Sequence, residues 1–343
     1  MGDKTGIEWT DATWNPVTGC DRTSPGCDNC YALTMAARLK RMGQANYQND
    51  GDPRTSGPGF GVTCHPHMLD HPLQWRRPRR IFVNSMSDLF HPSVPYEFIV
   101  QVFAVMALAS QHTFQVLTKR PQRMEAVLGA TNPGFKPDVD TAAFELAAEL
   151  SRQYEWHSGY TGFSTIETYW LPNVWLGTSI ESDKYAFRAD RLRFTPAAVR
   201  FISAEPLLGP LPSLDLTGID WLVAGGESGP GARPMHPDWV RDLRDRCHPM
   251  VYRHDHEPLN ADMHGGICPA CESASHDHTA FLFKQWGGWA PEDHLDLAVP
   301  PATSAKAVAW LPGGEDAMVP VGKKAAGRLL DGRTWDEYPR HDR

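Results

Sequence analysis

No run of eighteen apolar residues occurs in the chain, and a helix needs about that many to cross a bilayer. The opening string Met1-Gly2-Asp3-Lys4-Thr5-Gly6 has no apolar signal region. Gly6 also stands where a myristoylation string wants Ser or Thr. These absences lead us to expect a cytoplasmic protein without membrane contact. Positive charge is in short supply: 33 Lys and Arg face 41 Asp and Glu, a formal net charge of −8. That balance gives no support to non-specific nucleic-acid binding. Two local basic stretches run against it, Arg76-Arg77-Pro78-Arg79-Arg80 and Lys119-Arg120-Pro121-Gln122-Arg123. Repeats with sequence identity are absent. Cysteine is sparse and odd in number, seven in 343 residues. Without a secretion signal this argues against a disulfide framework and for metal or redox use.

What cysteine there is falls in groups. Cys20, Cys27 and Cys30 form C-x6-C-x2-C in a loop rich in Gly, Pro and Asp; Cys268 and Cys271 form a second group. Cys64 and Cys247 stand alone. Three thiolates are one short of a structural zinc shell or of an all-cysteine 4Fe–4S site. The first group therefore needs a distant fourth ligand or leaves a position open to a small molecule. Gly19 and Gly26 relax the backbone and Pro25 favours turns, so the sulfurs can converge.

A pattern recurs along the chain: a short apolar run stops abruptly in polar residues. It is seen at Ile81–Val83, Phe114–Leu117, Val174–Leu176, Val199–Ile202, Trp221–Ala224 and Phe281–Phe283. Such runs fit strands buried on both faces, and the helical stretches between them, such as Tyr96–Ser110 and Pro237–Cys247, imply a parallel sheet. A first strand around Ile7-Glu8-Trp9 brings the count to about seven βα units. The expected fold is an α/β, TIM-like (β/α) barrel, complete or partial, with an open doubly wound sheet as the alternative. Both put functional groups at the carboxyl ends of the strands. The barrel should span residues 1–290, with insertions at about 43–72, 130–172 and 248–279. Residues 291–343 should form an extension that packs back on it. Twelve tryptophans suit core and rim packing, or an aromatic-walled cavity.

The order of strand and cysteine loop resembles the radical S-adenosylmethionine (SAM) superfamily, in which three cysteines after the first strand hold a 4Fe–4S cluster whose open iron binds SAM. This chain has a longer first gap than that superfamily's usual three residues, and Asn29 replaces the aromatic before the last cysteine. The chain is more closely similar to a phage and bacterial three-cysteine-motif family of unknown function, itself radical-SAM-like. The segments that carry this likeness are Trp14–Cys20, Ser24–Ala32, Ser85–Phe90, Leu117–Pro121, Ala224–Gly229 and Phe283–Gly287.

The resemblance implies a 4Fe–4S cluster on Cys20, Cys27 and Cys30, with SAM and an electron donor. By place in the barrel, Asn84, Ser85, Ser87 and Asp88 are expected near the SAM amino group, and Thr178, Ser179 and Glu181 near its ribose. Gly225 and Gly226 would let backbone approach the ligand. Lys119, Glu205 and Glu227 are the candidate catalytic groups across the cavity, with Arg120, Lys284 and Gln285 beside them. The substrate it suggests is DNA or RNA, modified or repaired, and a protein partner is a further expectation. Cys64 is read as a spare loop thiol. Cys268, Cys271, His276 and His278 form a possible zinc knuckle in the 248–279 insertion. The competing reading is a non-catalytic, zinc-binding protein that binds nucleic acid or a partner.

Overall fold

A computed structural model describes residues 5–154, 171–248, 278–292, 308–309 and 317–339. Its centre is a sheet of seven strands: β1 (Ala12–Trp14), β2 (Arg80–Val83), β3 (Thr113–Thr118), β4 (Val174–Ser179), β5 (Val199–Ala204), β6 (Trp221–Gly225) and β7 (Ala280–Gln285). The strands lie in sequence order and every neighbouring pair is parallel. Sequential parallel strands with helical crossovers curl in one direction, and the result is the half-barrel form of a TIM-like fold. Six of the seven strands coincide with the apolar runs read from the sequence.

The first strand does not. Ile7-Glu8-Trp9 is not β1; the strand that pairs with β2 is Ala12–Trp14. Trp9 instead fills the concave face of the sheet. Its indole packs edge-on against Phe82, Phe201 and Trp221, with centroids 5.0, 6.0 and 5.5 Å away. Together with Trp175, Val223 and Leu282 these rings form a separate inner core. These tryptophans thus serve mainly as packing, although Trp9 and Phe82 also floor the cavity above them.

Helix α1 (Tyr31–Arg41) packs Ala32 and Ala36 against Phe60 and Met86 beside the cysteine loop, and the other helices cover the convex face: α2 (Tyr96–Leu108), α3 (Pro121–Leu128), α4 (Phe135–Tyr154), α5 (Arg188–Arg193) and α6 (Pro237–Cys247). Helix α2 buries residues all around its circumference, as a helix covered on both sides must. Its outer cover is α4, the segment expected to be an insertion. Phe135, Val139 and Ala143 of α4 belong to the main core, and Phe135 meets Phe103 edge-to-face at 5.3 Å. Burying a Phe or Val side chain contributes about 1.5–3 kcal/mol, so α4 is part of the fold. Helix α6 starts at His236, whose ring accepts the Asp238 amide, and buries Val240, Leu243 and Cys247 along one face.

The tail returns to the body. Asp336 bridges Leu282 of β7, and the Phe281 amide donates to the Glu337 carboxylate at 2.9 Å. Among the described residues, no helix is long and apolar enough to cross a membrane.

Candidate functional site

Cys20, Cys27 and Cys30 lie on the loop that follows β1, and all three line one cavity of about 310 Å³ at the carboxyl edge of the sheet. That size suits a small-molecule site. Cys27 closes a single helical turn and Cys30 is the N-cap of α1. All three are free thiols.

The loop is held from three sides. Gly19, at φ +85°, passes beneath residues 60–61, where an added Cβ would lie 2.3 Å from the Gly61 carbonyl. Asp21, beside Cys20, accepts from the Thr55 hydroxyl at 2.7 Å and lies 2.9 Å from His91 Nε2. From the other side, Asn29 donates to Glu227 Oε2 at 2.9 Å and to the Gly231 carbonyl at 3.0 Å. Arg233 donates to the Pro25 carbonyl and reaches Asp28 and Glu227.

The three thiols differ. Burial, helped by the Asp88 charge, pushes Cys20 up to about 12, although Arg120 Nη1 donates to its Sγ at 3.3 Å. Burial also pushes Cys30 up. Burial alone would raise Cys27 as well. The Lys119 charge and hydrogen bonds from Thr23 and Ser24 outweigh it and hold Cys27 below an ordinary thiol. Arg120 itself bridges Cys20, Asp88 and the Asp21 carbonyl.

Asn84, Ser85, Ser87, Asp88, Lys119, Ser179, Glu205, Gly226 and Glu227 line the same cavity. Asn84 holds a left-handed φ of 63°, and its buried Nδ2 has no hydrogen-bond partner. Trp9 Nε1 and Gln285 Oε1, also on the cavity wall, are likewise buried and unpartnered. Buried polar atoms left in this state are costly, and here two donors and an acceptor without partners belong to residues of one cavity wall. Ser85 and Ser87 spend their hydroxyls on Asn15 and the Val17 carbonyl.

Asp88 accepts from Thr118 Oγ1, Arg120 and the amides of Phe90 and Lys119. Its oxygens are occupied, so it positions Arg120 and is not a free acceptor for an ammonium. Glu227 is similarly engaged by Arg233 and Asn29; burial alone would raise its carboxyl, but those partners hold it below its usual range. It anchors the cysteine loop. Glu205 keeps its place on the far wall, paired with Lys284 at 2.6 Å. Burial disfavours the Lys284 ammonium, but Glu205 outweighs that and raises its pKa.

Thr178, Glu181 and Gly225 stand behind the cavity wall. Thr178 donates to the Thr118 carbonyl, and Glu181 is fully buried against Arg188 at 3.1 Å. The Glu181 side chain backs Gly26, where a Cβ would lie 3.2 Å from it. Gly226 is needed for a chain crossing: a Cβ there would lie 1.9 Å from the Trp286 carbonyl. Cys64 pairs with Val17 in a two-stranded ladder outside the cavity. The basic stretches are also largely spent. Arg79 lies over Trp75, Arg80 pairs with Asp11 at the amino end of β2, and Arg123 binds the His91 and Val94 carbonyls. Cys268, Cys271 and His276 lie outside the described residues; His278 is at the foot of β7.

The donor set distinguishes one metal from a cluster. A tetrahedral zinc brings neighbouring sulfurs to about 3.8 Å, given Zn–S of about 2.3 Å. Among the described residues, the group whose ligand atoms all lie within 4.8 Å of one another is His248, His278 and Glu337, not the three cysteines. Three thiols around one cavity but wider than a single-ion shell fit a polynuclear centre. Lys119 and Arg120 were legible as cavity residues, but their service to the cysteines, like that of Asn29 to Glu227, was not, because such contacts join residues up to 198 apart in sequence.

Comparison with known proteins gives one family match: the description "Protein of unknown function (DUF5131)" applies to residues 4–253 and 254–339. No curated protein matches. Among solved structures, spore photoproduct lyase complexed with dinucleoside spore photoproduct aligns with a TM-score of 0.35 and 9% identity, over 89% of this chain and 66% of that one. A point mutant of the same lyase gives 0.35 and 10% over the same shares. The chain spans 66% of the length of these solved relatives.

Proposed function

This chain belongs to the DUF5131 family, and from that starting point we propose that it is a radical-SAM-like iron–sulfur enzyme. The observation that carries the reading is the cysteine loop after β1. It brings three free thiols to one cavity at the carboxyl edge of a parallel half-barrel, with sulfurs spread wider than one ion requires. Cys20, Cys27 and Cys30 would hold a 4Fe–4S cluster. When bound, the reduced cluster supplies the electron that splits SAM into methionine and a 5′-deoxyadenosyl fragment able to take hydrogen from a substrate.

The chain's own residues prepare that chemistry. Arg120 and Lys119 bring positive charge to the thiolates, which suits a centre that deprotonates its ligands. Asn84 and Gln285 put amide side chains on the cavity wall, a polar lining suited to the polar ends of SAM. Glu205 and Lys284 form the charged pair on the opposite wall, where a carboxylate can hold a substrate proton. The aromatic floor under them keeps water from below. An electron donor is required by the chemistry. DNA or RNA enters the proposal only as a substrate class to screen, since most of the arginines that favoured it are engaged with the protein itself.

The test is anaerobic. Reconstituted protein should be brown, carry about four irons at this site, and form 5′-deoxyadenosine from SAM under reduction. Cys27→Ala should abolish the colour. A colourless protein that takes up only zinc after anaerobic reconstitution would overturn the reading in favour of a zinc-binding module.

A further inference from the structure

At the amino edge of the sheet, opposite the cysteine cavity, three distant segments meet. Helix α6 ends at Cys247 and His248 is its C-cap. His278 stands two residues before β7. Glu337 comes from the tail and is fixed in place: its amide donates to the Phe281 carbonyl at 3.2 Å, its Oε2 accepts the Phe281 amide at 2.9 Å, and its carbonyl accepts the Trp221 indole at 2.9 Å. The two imidazoles stack obliquely with centroids 4.6 Å apart. His248 Nε2 is 3.3 Å and His278 Nε2 is 3.7 Å from Glu337 Oε2. The ligand atoms of all three residues lie within 4.8 Å of one another.

We propose that His248, His278 and Glu337 form a binding site for one divalent transition metal of the zinc class, separate from the cysteine site. Two observations carry it. First, the spacing is that of a metal shell. Zinc bound at about 2.0–2.2 Å by imidazole nitrogen and carboxylate oxygen puts neighbouring ligand atoms about 3.3–3.6 Å apart in a tetrahedron. Second, His248 Nε2 is buried and makes no aligned hydrogen bond, although a carboxylate oxygen is 3.3 Å away. A lone pair in that position is explained by coordination better than by a salt bridge, whose hydrogen would point at the oxygen. Two imidazoles and one carboxylate favour zinc or its neighbours over magnesium or calcium, which take oxygen ligands.

Three protein ligands leave a fourth position for water. The site ties α6, β7 and the tail together, so its effect is on stability and not on the cavity chemistry. Of the four residues expected to bind zinc, His278 is the one shared, and its partners are the C-cap of α6 and a tail residue.

The full chain, stripped with a chelator, should be titrated with cobalt(II) as an optical probe. One component should show d–d bands without sulfur-to-metal charge transfer, because no thiolate is in the shell. That component should weaken at least tenfold in Kd in both His278→Gln and Glu337→Gln. His278 is 46% exposed and the Gln at 337 still accepts the Phe281 amide, so both variants should fold, as circular dichroism will check. Zinc should raise the Tm of the wild-type chain and not of the variants. Three outcomes overturn the proposal: no thiolate-free component, equal affinity in wild type and both variants, or loss of a component that carries thiolate charge transfer.

Discussion

Cys27 and Cys20 face the same cavity with opposite electrostatics. Cys27 has Lys119 nearby and a hydroxyl, Thr23 Oγ1, 3.8 Å from its sulfur. Cys20 is pushed up to about 12 by burial, with the Asp88 carboxylate adding to it. Only the thiolate attacks an alkylating agent, and a unit of pKa is tenfold in thiolate fraction below the pKa. In metal-free protein near neutral pH, iodoacetamide should therefore modify Cys27 more than roughly tenfold faster than Cys20. Peptide mass spectrometry over a time course reads this directly. Lys119→Met should slow Cys27 and leave Cys64, outside the cavity, unchanged; a Cys20 that reacts first would show that the charges around the loop are arranged otherwise. The identity of these three residues as a group was legible from spacing alone. Their ranking was not, because Lys119 and Asp88 reach them only through the fold.

At the scale of elements, strands were legible because each is a short buried run that ends in polar residues, and burial on both faces leaves that mark in any sequence. The first strand was misplaced because Trp9 looks like a strand residue but fills the concave interior with its ring. Helix α4 looked like an insertion because its length lay between two strands; its Val139 and Ala143 face α2, a neighbour no local pattern reveals. The Gly225-Gly226-Glu227 string invited a ligand-facing role. Glu227 instead grips Arg233 and Asn29, and Gly226 makes room for the crossing chain at Trp286. This gives an element-scale test. Gly226→Ala puts a methyl group 1.9 Å from a backbone carbonyl that cannot swing away, so unfolding in urea should show a loss of at least about 2 kcal/mol. Gly225→Ala meets its nearest atom, the Glu205 carboxylate, at 3.3 Å and should cost less. Equal costs at the two positions would mean the crossing is looser than described.

Across the whole molecule, carboxylate–arginine staples join segments far apart in sequence: Asp11 to Arg80, Asp28 to Arg233, and Asp331 to Arg241 and Arg244. The last fastens the tail to α6. Burial alone would raise the Asp331 carboxyl, but the two guanidiniums outweigh it and hold it below the usual range. The sign of its pH effect follows. A carboxyl whose folded pKa lies below its unfolded value adds stability above about 3.9, and that stability is lost as pH falls through the folded pKa. Acid should thus loosen the tail. Asp331→Asn keeps a residue that tolerates the left-handed φ of 51° but removes the charge. Since the side chain is 37% exposed, screening limits the staple to roughly 0.5–1 kcal/mol. The variant should therefore lose about that much stability at pH 7. It should converge on the wild type only as pH falls through the folded pKa, which lies below the ordinary carboxyl value of about 3.9, because only there is the native carboxyl protonated as well. Denaturant unfolding of both chains from pH 7 down through that pKa measures the difference. A gap that stays constant across that range would assign the cost to the lost packing of the tail and not to its charge.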